Sequence, residues 1–330
     1  MPPERRCGAP YPRMDKALWV VRDKITSKNA IDDLMADATT RGIHDVVVQV
    51  RGRGDAYYRS SLEPRAEELK DAGAGAPGRE ATFDPLEHLV RSGAAVGVRV
   101  HAWGNVFFVW SSATGALPRS RDHLVHRHPD WLLRPGGVKY LDPVGGADWE
   151  GIYTDPANPA AREHALSVFA DIVAHYRVEG FHYDYVRYPQ VTYASSGDDH
   201  AAVTAFVREA SERLRAARPG LVISAAVFPD PEVARDRVLQ RWPEWARAGW
   251  IDLLCPMAYR RDTAEVGRLL SKARAAAPET RMWGGLMAYA GERTLLGDQV
   301  RAAQDAGCEG VILFAYDPAQ RDLLDVFSSS

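Results

Sequence analysis

The sequence predicts an α/β fold, a single (β/α)8 TIM barrel, from features that recur along the chain. Eight apolar runs of strand length follow one another through the 330 residues. Segments with helical spacing separate these runs, and most of them end near a glycine, which supplies the left-handed residue that closes a helix. Eight alternating strand and helix units within a single-domain length indicate a barrel. A doubly wound open sheet is the alternative, but no glycine-rich phosphate fingerprint follows the first run.

The strands are placed at the apolar runs in chain order. They are Ala17–Val21, Asp45–Val50, Val98–Trp103, Gly180–Tyr185, Leu221–Val227, Ile251–Met257, Met282–Met287 and Gly310–Ala315. Two helix starts are also clear, because Asp84-Pro85 and Asn158-Pro159 each put a capping side chain before a proline at the first helical position. We therefore expect an N-terminal extension at residues 1–14 and one barrel domain at residues 15–330.

Composition and charge restrict the class of partner. The chain is 46% hydrophobic and 26% charged, which is typical of a globular domain with an ample core. Its net charge of −3, with basic residues dispersed along the chain, argues against nucleic acid as the main partner. No apolar run reaches the length of a membrane span, and the N-terminal segment lacks the apolar part of a signal peptide. The histidines of HLVHRHPDW lack an ordered ligand scaffold, so we predict neither a metal nor a cofactor.

Two connections are long, and both follow strands. Residues 52–82 follow the second strand, and residues 104–157, which are dense in Trp, His, Pro and Gly, follow the third. In a barrel the loops after the strands lie on the C-terminal face, where such folds carry their sites. The sequence therefore predicts a functional site at this face, bordered by both long loops.

Asp184 is the first candidate for a catalytic residue. It ends the fourth predicted strand in the stretch GFHYDYVRYP, where a carboxylate is unfavourable unless it is paired or functional. Side chains alternate along a strand, so we expect His182 and Asp184 to point to one side and Tyr183 and Tyr185 to the other. A purely structural ion pair between Asp184 and Arg187 is the alternative interpretation.

Polar and aromatic residues also follow nearly all of the remaining predicted strands. Aromatic rings suit the C–H faces of sugars, and Asp, Asn and Arg side chains hydrogen-bond sugar hydroxyl groups. This combination predicts a carbohydrate-binding groove, with a polysaccharide or oligosaccharide as the substrate. The candidate substrate-binding residues are Arg51, Arg53, His101, Trp103, Asn105, His182, Tyr185, Arg187, Met257, Tyr259, Tyr289, Tyr316 and Asp317.

Several stretches of the chain resemble a known family. The runs ALWVVRDKITS, VVVQVRGRGDAYYRSSLEP, VRVHAWGN, YTDPANPAAREH, GFHYDYVRYP, IDLLCPMAY and GVILFAYD, in this order, resemble the glycosyl-hydrolase-like family 10 domain. The resemblance covers nearly the whole chain. It implies a bacterial (β/α)8 barrel, often exported, whose relatives include enzymes that act on glycan strands of the cell wall. We therefore expect export to the periplasm or the medium, and a cytoplasmic location is the alternative.

The chain is more loosely similar to the family 18 chitinases. Asp184 matches the last Asp of their D-x-x-D-x-D-x-E motif, and Met257-Ala258-Tyr259 matches the M-x-Y of their sixth strand. Val186 stands where those enzymes carry the catalytic glutamate. Their substrate-assisted mechanism therefore does not transfer to this chain.

The resemblance implies a glycoside hydrolase that acts on a bacterial polysaccharide, with peptidoglycan glycan strands as a candidate. Hydrolysis of a glycosidic bond ordinarily requires two carboxyl groups. We choose Asp184 as the first of them and Asp55 or Asp230 as the second, ahead of Asp23, Asp317 and Glu292. A glycan-binding barrel without catalytic activity is the alternative, and an unrelated barrel lyase or aldolase is a third hypothesis.

Overall fold

A computed structural model of the protein describes residues 14–69, 83–133, 150–190, 199–288 and 292–327. Eight parallel strands close into a barrel, in which neighbours in the chain pair with each other and the last strand pairs with the first. Two further short strands, β4 and β5, form a separate antiparallel sheet. In chain order the strands are β1 (Asp15–Val20), β2 (Asp45–Arg51), β3 (Arg99–Asn105), β4 (Phe108–Trp110), β5 (Ile152–Tyr153), β6 (Gly180–Asp184), β7 (Val222–Val227), β8 (Leu253–Pro256), β9 (Arg281–Met287) and β10 (Gly310–Phe314).

The predicted (β/α)8 barrel is confirmed. Each barrel strand coincides with one of the eight apolar runs, and the bounds differ by at most two residues at either end. The extension expected at residues 1–14 lies outside the described residues, except for Met14. Along the described ranges, no helix is both long enough and apolar enough to cross a membrane.

Helices pack against the outside of the barrel and begin where the sequence indicates. Asp84 accepts a hydrogen bond from the backbone N–H of Glu87, and Asn158 caps the next long helix in the same way. The helices are α1 (Lys28–Thr40), α2 (Pro85–Val96), α3 (Leu124–Arg127), α4 (Pro159–His175), α5 (Asp199–Ala217), α6 (Pro231–Val238), α7 (Trp242–Arg247), α8 (Thr263–Ala276) and α9 (Arg293–Asp305). Short 3-10 segments lie at Arg22–Ile25, Pro129–Trp131 and Pro318–Phe327.

The barrel interior is filled by large aromatic side chains from alternate strand positions. Trp19, Trp103 and Trp283 are each less than 4% exposed and belong to one apolar cluster with smaller residues of the neighbouring strands. The other face of the strands packs against the helices in a second, larger cluster. Since side chains alternate along a strand, each strand contributes to both clusters. The interior is therefore solid below the C-terminal mouth of the barrel.

The small β4–β5 sheet lies in the connection after β3 and depends on a glycine. Gly151, next to β5, has a φ of +145°, a conformation that other residues rarely adopt. A Cβ atom at this position would lie 2.5 Å from the carbonyl oxygen of Trp110 and 2.5 Å from the ring of Phe108. Only glycine therefore lets the two short strands approach each other here.

We expect Gly151→Ala to destabilise the protein by about 2–4 kcal/mol, because it adds backbone strain and an overlap with backbone atoms. Gly267→Ala is the matched control, since a Cβ at Gly267 in α8 meets only the Cβ of Ala302, at 3.7 Å. In a helix this change should stabilise by about 0.5–1 kcal/mol. Urea unfolding followed by circular dichroism measures both. Equal effects of the two substitutions would contradict the role given to Gly151.

Candidate active site

A cavity of about 380 Å³ opens at the C-terminal mouth of the barrel. Residues from β1, β2, β3, β6, β7 and β10 line it, together with residues that directly follow β1, β6 and β8 and residues of the long connection after β3. The lining residues are Trp19, Val21, Arg22, Gln49, Trp103, Asn105, Phe108, Ser111, Glu150, Asp184, Tyr185, Arg187, Ala226, Met257, Tyr259 and Phe314. Seven of the predicted site residues are among them, namely Trp103, Asn105, Asp184, Tyr185, Arg187, Met257 and Tyr259.

Asp184 lies at the end of β6 with its carboxyl group almost out of contact with solvent. The residue is 9% exposed, and its Oδ1 accepts a hydrogen bond of 2.6 Å from the backbone N–H of Tyr185. Burial raises the pKa of Asp184 to about 6, against the opposing charge of Arg187 and the hydrogen bond from Tyr185. This carboxyl group can therefore hold or release a proton close to neutral pH.

Tyr185 lies in the cavity lining together with Asp184, and the expected alternation is wrong at this residue. Its φ of +48° is in the left-handed region, so the chain leaves the strand geometry directly after Asp184. Tyr183, two residues earlier, does follow the alternation and packs outward against Phe169. A left-handed aromatic residue is strained, and such strain is concentrated at functional sites.

Arg187 forms its salt bridge with Glu150 and not with Asp184. Its Nη1 and Nη2 donate to the two carboxylate oxygens of Glu150 at 2.9 and 2.8 Å. Burial acts to raise the pKa of Glu150, but the hydrogen bonds and the charge of Arg187 outweigh it and lower that pKa to about 2. The structural ion pair between Asp184 and Arg187, which was the alternative interpretation, is not formed. The cavity therefore contains one readily protonated carboxyl group and one that stays ionised.

Aromatic rings form the floor of the cavity. Tyr259 and Phe314 stack with 5.6 Å between ring centroids, and both meet Trp19 edge-on. His182 lies beneath this floor, fully buried, where its Nε2 accepts the indole N–H of Trp19 at 3.1 Å and its Nδ1 contacts Ser224 at 2.8 Å. Because an indole N–H only donates, the proton of His182 is on Nδ1. Burial lowers the pKa of His182 to about 3, so it supports the floor as a neutral ring.

Three residues predicted from the end of β2 are held in salt bridges beside the cavity and do not line it. Arg51 is 1% exposed and donates to both oxygens of Glu63, and to the backbone carbonyl groups of the connection after β3. Arg53 pairs with Asp55 at 3.3 Å and with Glu68, and its guanidinium stacks on Trp110. Asp55 is 2% exposed, and burial raises its pKa despite the charge of Arg53. These side chains hold the two long connections together.

The remaining predicted residues lie elsewhere. Asp230 caps α6 and pairs with Lys272 at 2.9 Å, and Asp317 pairs with Lys24 on the surface. Tyr316 is buried and donates to Asp37, while His101 contacts Asp45 below the aromatic layer. Tyr289 lies outside the described residues.

Sequence reasoning missed several lining residues, of which Glu150 matters most. Trp19 and Gln49 carried a usable signal, because each lies two positions after an interior apolar residue at the end of a strand. Glu150 carried none, since it lies in an irregular connection and is held at the cavity by contacts with Arg187, Tyr153 and Gln190. Within the ranges that the structure describes, no group of three or more His, Cys, Asp or Glu residues could hold a metal ion.

Residues 12–202 match the family described as Glycosyl hydrolase-like 10. The chain belongs to this family. It is 24% identical over 260 residues to Glycosyl hydrolase YngK of Bacillus subtilis, a match that covers 68% of this chain and 48% of that protein. It is 22% identical over 271 residues to Glycosyl hydrolase DigH of Escherichia coli K12, covering 70% of this chain and 58% of that protein. This glycosyl hydrolase-like 10 chain thus spans about half the length of the curated relatives it matches.

Two solved structures with a similar barrel are named as glycosidases. Alpha-L-fucosidase isoenzyme 2 from Paenibacillus thiaminolyticus superposes with a TM-score of 0.65 and 15% identity, over 96% of this chain and 49% of that chain. The endo-beta-1,4-mannanase from Thermotoga petrophila gives a TM-score of 0.64 and 10% identity. This superposition covers 97% of this chain and 77% of that chain. At these identities the similarity concerns the fold.

We expect Arg51→Met to cost about 3–5 kcal/mol of stability, because it leaves the buried carboxylate of Glu63 without its arginine. Arg213→Met is the matched control, since Arg213 pairs with Glu163 at 2.6 Å on the surface and such pairs contribute about 1 kcal/mol or less. Urea unfolding at neutral pH compares the two. A cost for Arg51→Met no larger than that of the control would show that this pair is not structural.

Proposed function

We propose that this chain is a glycoside hydrolase that cleaves a bacterial polysaccharide, with glycan strands of peptidoglycan as the favoured substrate. The observation that carries the proposal is the pairing of Asp184 and Glu150 in one cavity at the C-terminal mouth of a barrel. Membership of the glycosyl hydrolase-like 10 family supports it, as do the relatives named as glycosyl hydrolases. The family resemblance to enzymes of cell-wall glycan strands supports the choice of substrate.

The two carboxyl groups have environments that suit different roles. Glycosidic hydrolysis requires a proton on the leaving oxygen and an anion or base on the other side of the sugar. Asp184, with a pKa near 6, is the proton donor in this proposal. Glu150, with a pKa near 2, stays ionised and faces the positive charge that develops on the sugar ring. A pair of carboxyl groups whose pKa values are pushed apart is the usual arrangement for this division of work.

The surroundings of the pair support sugar binding. The floor of Trp19, Tyr259 and Phe314 offers apolar ring faces to the C–H face of a sugar. Asn105 lies in the cavity wall, where its amide is held by hydrogen bonds to Trp103 and to the backbone of Gly52. Glu150 replaces Asp55 and Asp230 as the proposed second carboxyl group, because neither of those residues lines the cavity.

We expect Asp184→Asn to remain folded and to release reducing ends from polysaccharides at least about 100-fold more slowly, since it removes the proton donor. In the wild type, kcat should fall as the pH rises through about 6, and this limb should be missing in the variant. Asp230→Asn is the matched control, because Asn also caps helices and the residue is remote from the cavity. The panel includes purified peptidoglycan glycan strands, chitin oligosaccharides and a mannan.

Two results would contradict the catalytic role. Turnover by a well-folded Asp184→Asn protein at the wild-type rate would exclude Asp184 as the proton donor. A wild-type protein that binds oligosaccharides from the panel but releases no reducing ends would instead support a glycan-binding barrel without catalysis.

Asp184→Asn should also stabilise the protein at alkaline pH. A carboxyl group whose pKa is raised on folding favours the folded state when it is protonated. Its contribution to the free energy of unfolding is complete below about pH 4 and is lost as the pH rises through about 6. The loss at pH 8 is on the order of 3 kcal/mol. The neutral amide avoids it, so Tm should rise at pH 8 and change little at pH 4. A variant that is less stable than wild type at pH 8 would indicate a structural role for Asp184.

A further inference from the structure

A second arginine faces the cavity and has no acidic partner of its own. Arg22, which directly follows Val21 at the end of β1, lines the cavity and donates from Nη1 to Oε1 of Gln49 at 2.7 Å. Among the residues that the structure describes, no carboxylate forms a salt bridge with it, and its Nε and Nη2 donate to no protein acceptor. The nearby acidic residues Asp55 and Glu68 are both paired with Arg53. Arg22 therefore keeps N–H groups available to a ligand.

The position of Arg22 is built by its neighbours. A Cβ at Gly52 would lie 2.6 Å from Cδ of Arg22, so the absence of a side chain at Gly52 makes room for the arginine stem. Gln49 contacts Arg22 through its oxygen because a guanidinium only donates, and its Nε2 then points to Oδ1 of Asn105 at 3.4 Å. The same Oδ1 accepts the indole N–H of Trp103 at 2.9 Å. This chain of hydrogen bonds holds the guanidinium in one orientation at the cavity wall.

The charges in the cavity favour an anionic ligand. Arg187 is neutralised by Glu150 through two hydrogen bonds. Asp184 carries no charge in the protonated state that an acid catalyst requires, and its pKa near 6 makes this state accessible. Among the described lining residues, no carboxylate then pairs with Arg22, and Asp55 and Glu68 act on it only through their charge, from outside the cavity lining. An anion supplied by the substrate would balance the charge of Arg22 in a partly buried site, where such a contact is strong.

We propose that Arg22 binds a carboxylate substituent of the substrate, so that the polysaccharide cleaved by this chain is built from acidic sugars. The proposal deepens the proposed function and rests on it for the assignment of the cavity to a sugar. A carboxylate fits because the planar guanidinium can donate two parallel N–H bonds to its two oxygens. The carboxylate can belong to a uronic acid or to the lactyl ether of a muramic acid, and the chemistry at Arg22 is the same for both.

Binding to the catalytically slowed Asp184→Asn protein tests this assignment, because the neutral amide also mimics the protonated acid. The probes are a muramic acid-containing tetrasaccharide and trigalacturonic acid, each compared by calorimetry with its carboxyl-reduced alcohol. We expect the acidic form of one of them to bind about 10-fold or more tighter than its alcohol, as a charge-assisted contact requires. The probe that shows the preference identifies the source of the carboxylate.

Substitution of Arg22 then assigns the preference to this residue. In the Asp184→Asn protein, Arg22→Met keeps the length of the side-chain stem. It should weaken the binding of the acidic probe only, so that the preference for that probe falls to about twofold or less. Arg22→Lys keeps the charge without the planar fork and should retain part of it. Arg213→Met, on the outer surface of α5, should leave it unchanged. Circular dichroism checks folding, and Arg22→Lys carries the test if the methionine variant does not fold.

Several outcomes would overturn the proposal. They are equal binding of the acidic and reduced forms of both probes, an acid preference that survives Arg22→Met, and a loss that affects the acidic and reduced forms equally. These results are separate from a failure of the proposed function. Hydrolysis of neutral glycans at the same rate as acidic ones would leave the enzyme in place and remove the role of Arg22. A preference for the acidic probes without hydrolysis of any glycan would support the role of Arg22 and contradict the proposed hydrolase activity.

Discussion

The salt bridge between Arg187 and Glu150 is the interaction on which the candidate site depends. It joins the turn after β6 to the segment that precedes β5, and so attaches the connection after β3 to the mouth of the barrel. Because the guanidinium is directed at Glu150, Asp184 is left in a buried position, where no described residue forms a salt bridge with it. The two carboxyl groups of the cavity therefore have pKa values on opposite sides of the ordinary range. One contact thus shapes the cavity wall and separates the pKa values of the two carboxyl groups.

Side chains that can only donate hydrogen bonds organise the polar part of the barrel mouth. The indole of Trp19 determines which nitrogen of His182 carries the proton, and the indole of Trp103 determines the orientation of the Asn105 amide. Arg22 does the same for Gln49. Each group that faces the cavity consequently has a defined orientation before any ligand is present. Such preorganisation is what a catalytic site needs, because no free energy is then lost in orienting the groups during the reaction.

Residues at strand ends divide into two classes that look alike in a sequence. Arg51 ends β2 and Arg53 follows it in a polar, aromatic-rich stretch, yet both are directed into salt bridges with acids of the same long connection. Arg22 follows β1 and remains directed at the cavity. The difference arises from acidic partners twelve and fifteen residues further along the chain, at Glu63 and Glu68. A pattern of residue types shows that charge is present near the barrel mouth, but it does not show which charges neutralise each other.

The sequence by itself determined the eight barrel strands, the capped starts of α2 and α4, and the position of Asp184 at the C-terminal face. These features follow from local spacing, since hydrophobic periodicity, glycine and proline act through the backbone of neighbouring residues. Only the tertiary structure decided that Glu150 is the second acid of the cavity, that Tyr185 turns inward and that Arg22 is presented by Gln49. Glu150 and Arg187 lie 37 residues apart, and Arg22 and Gln49 lie 27 apart. Contacts over such separations depend on how the closed barrel brings its strand ends together, and no local pattern records them.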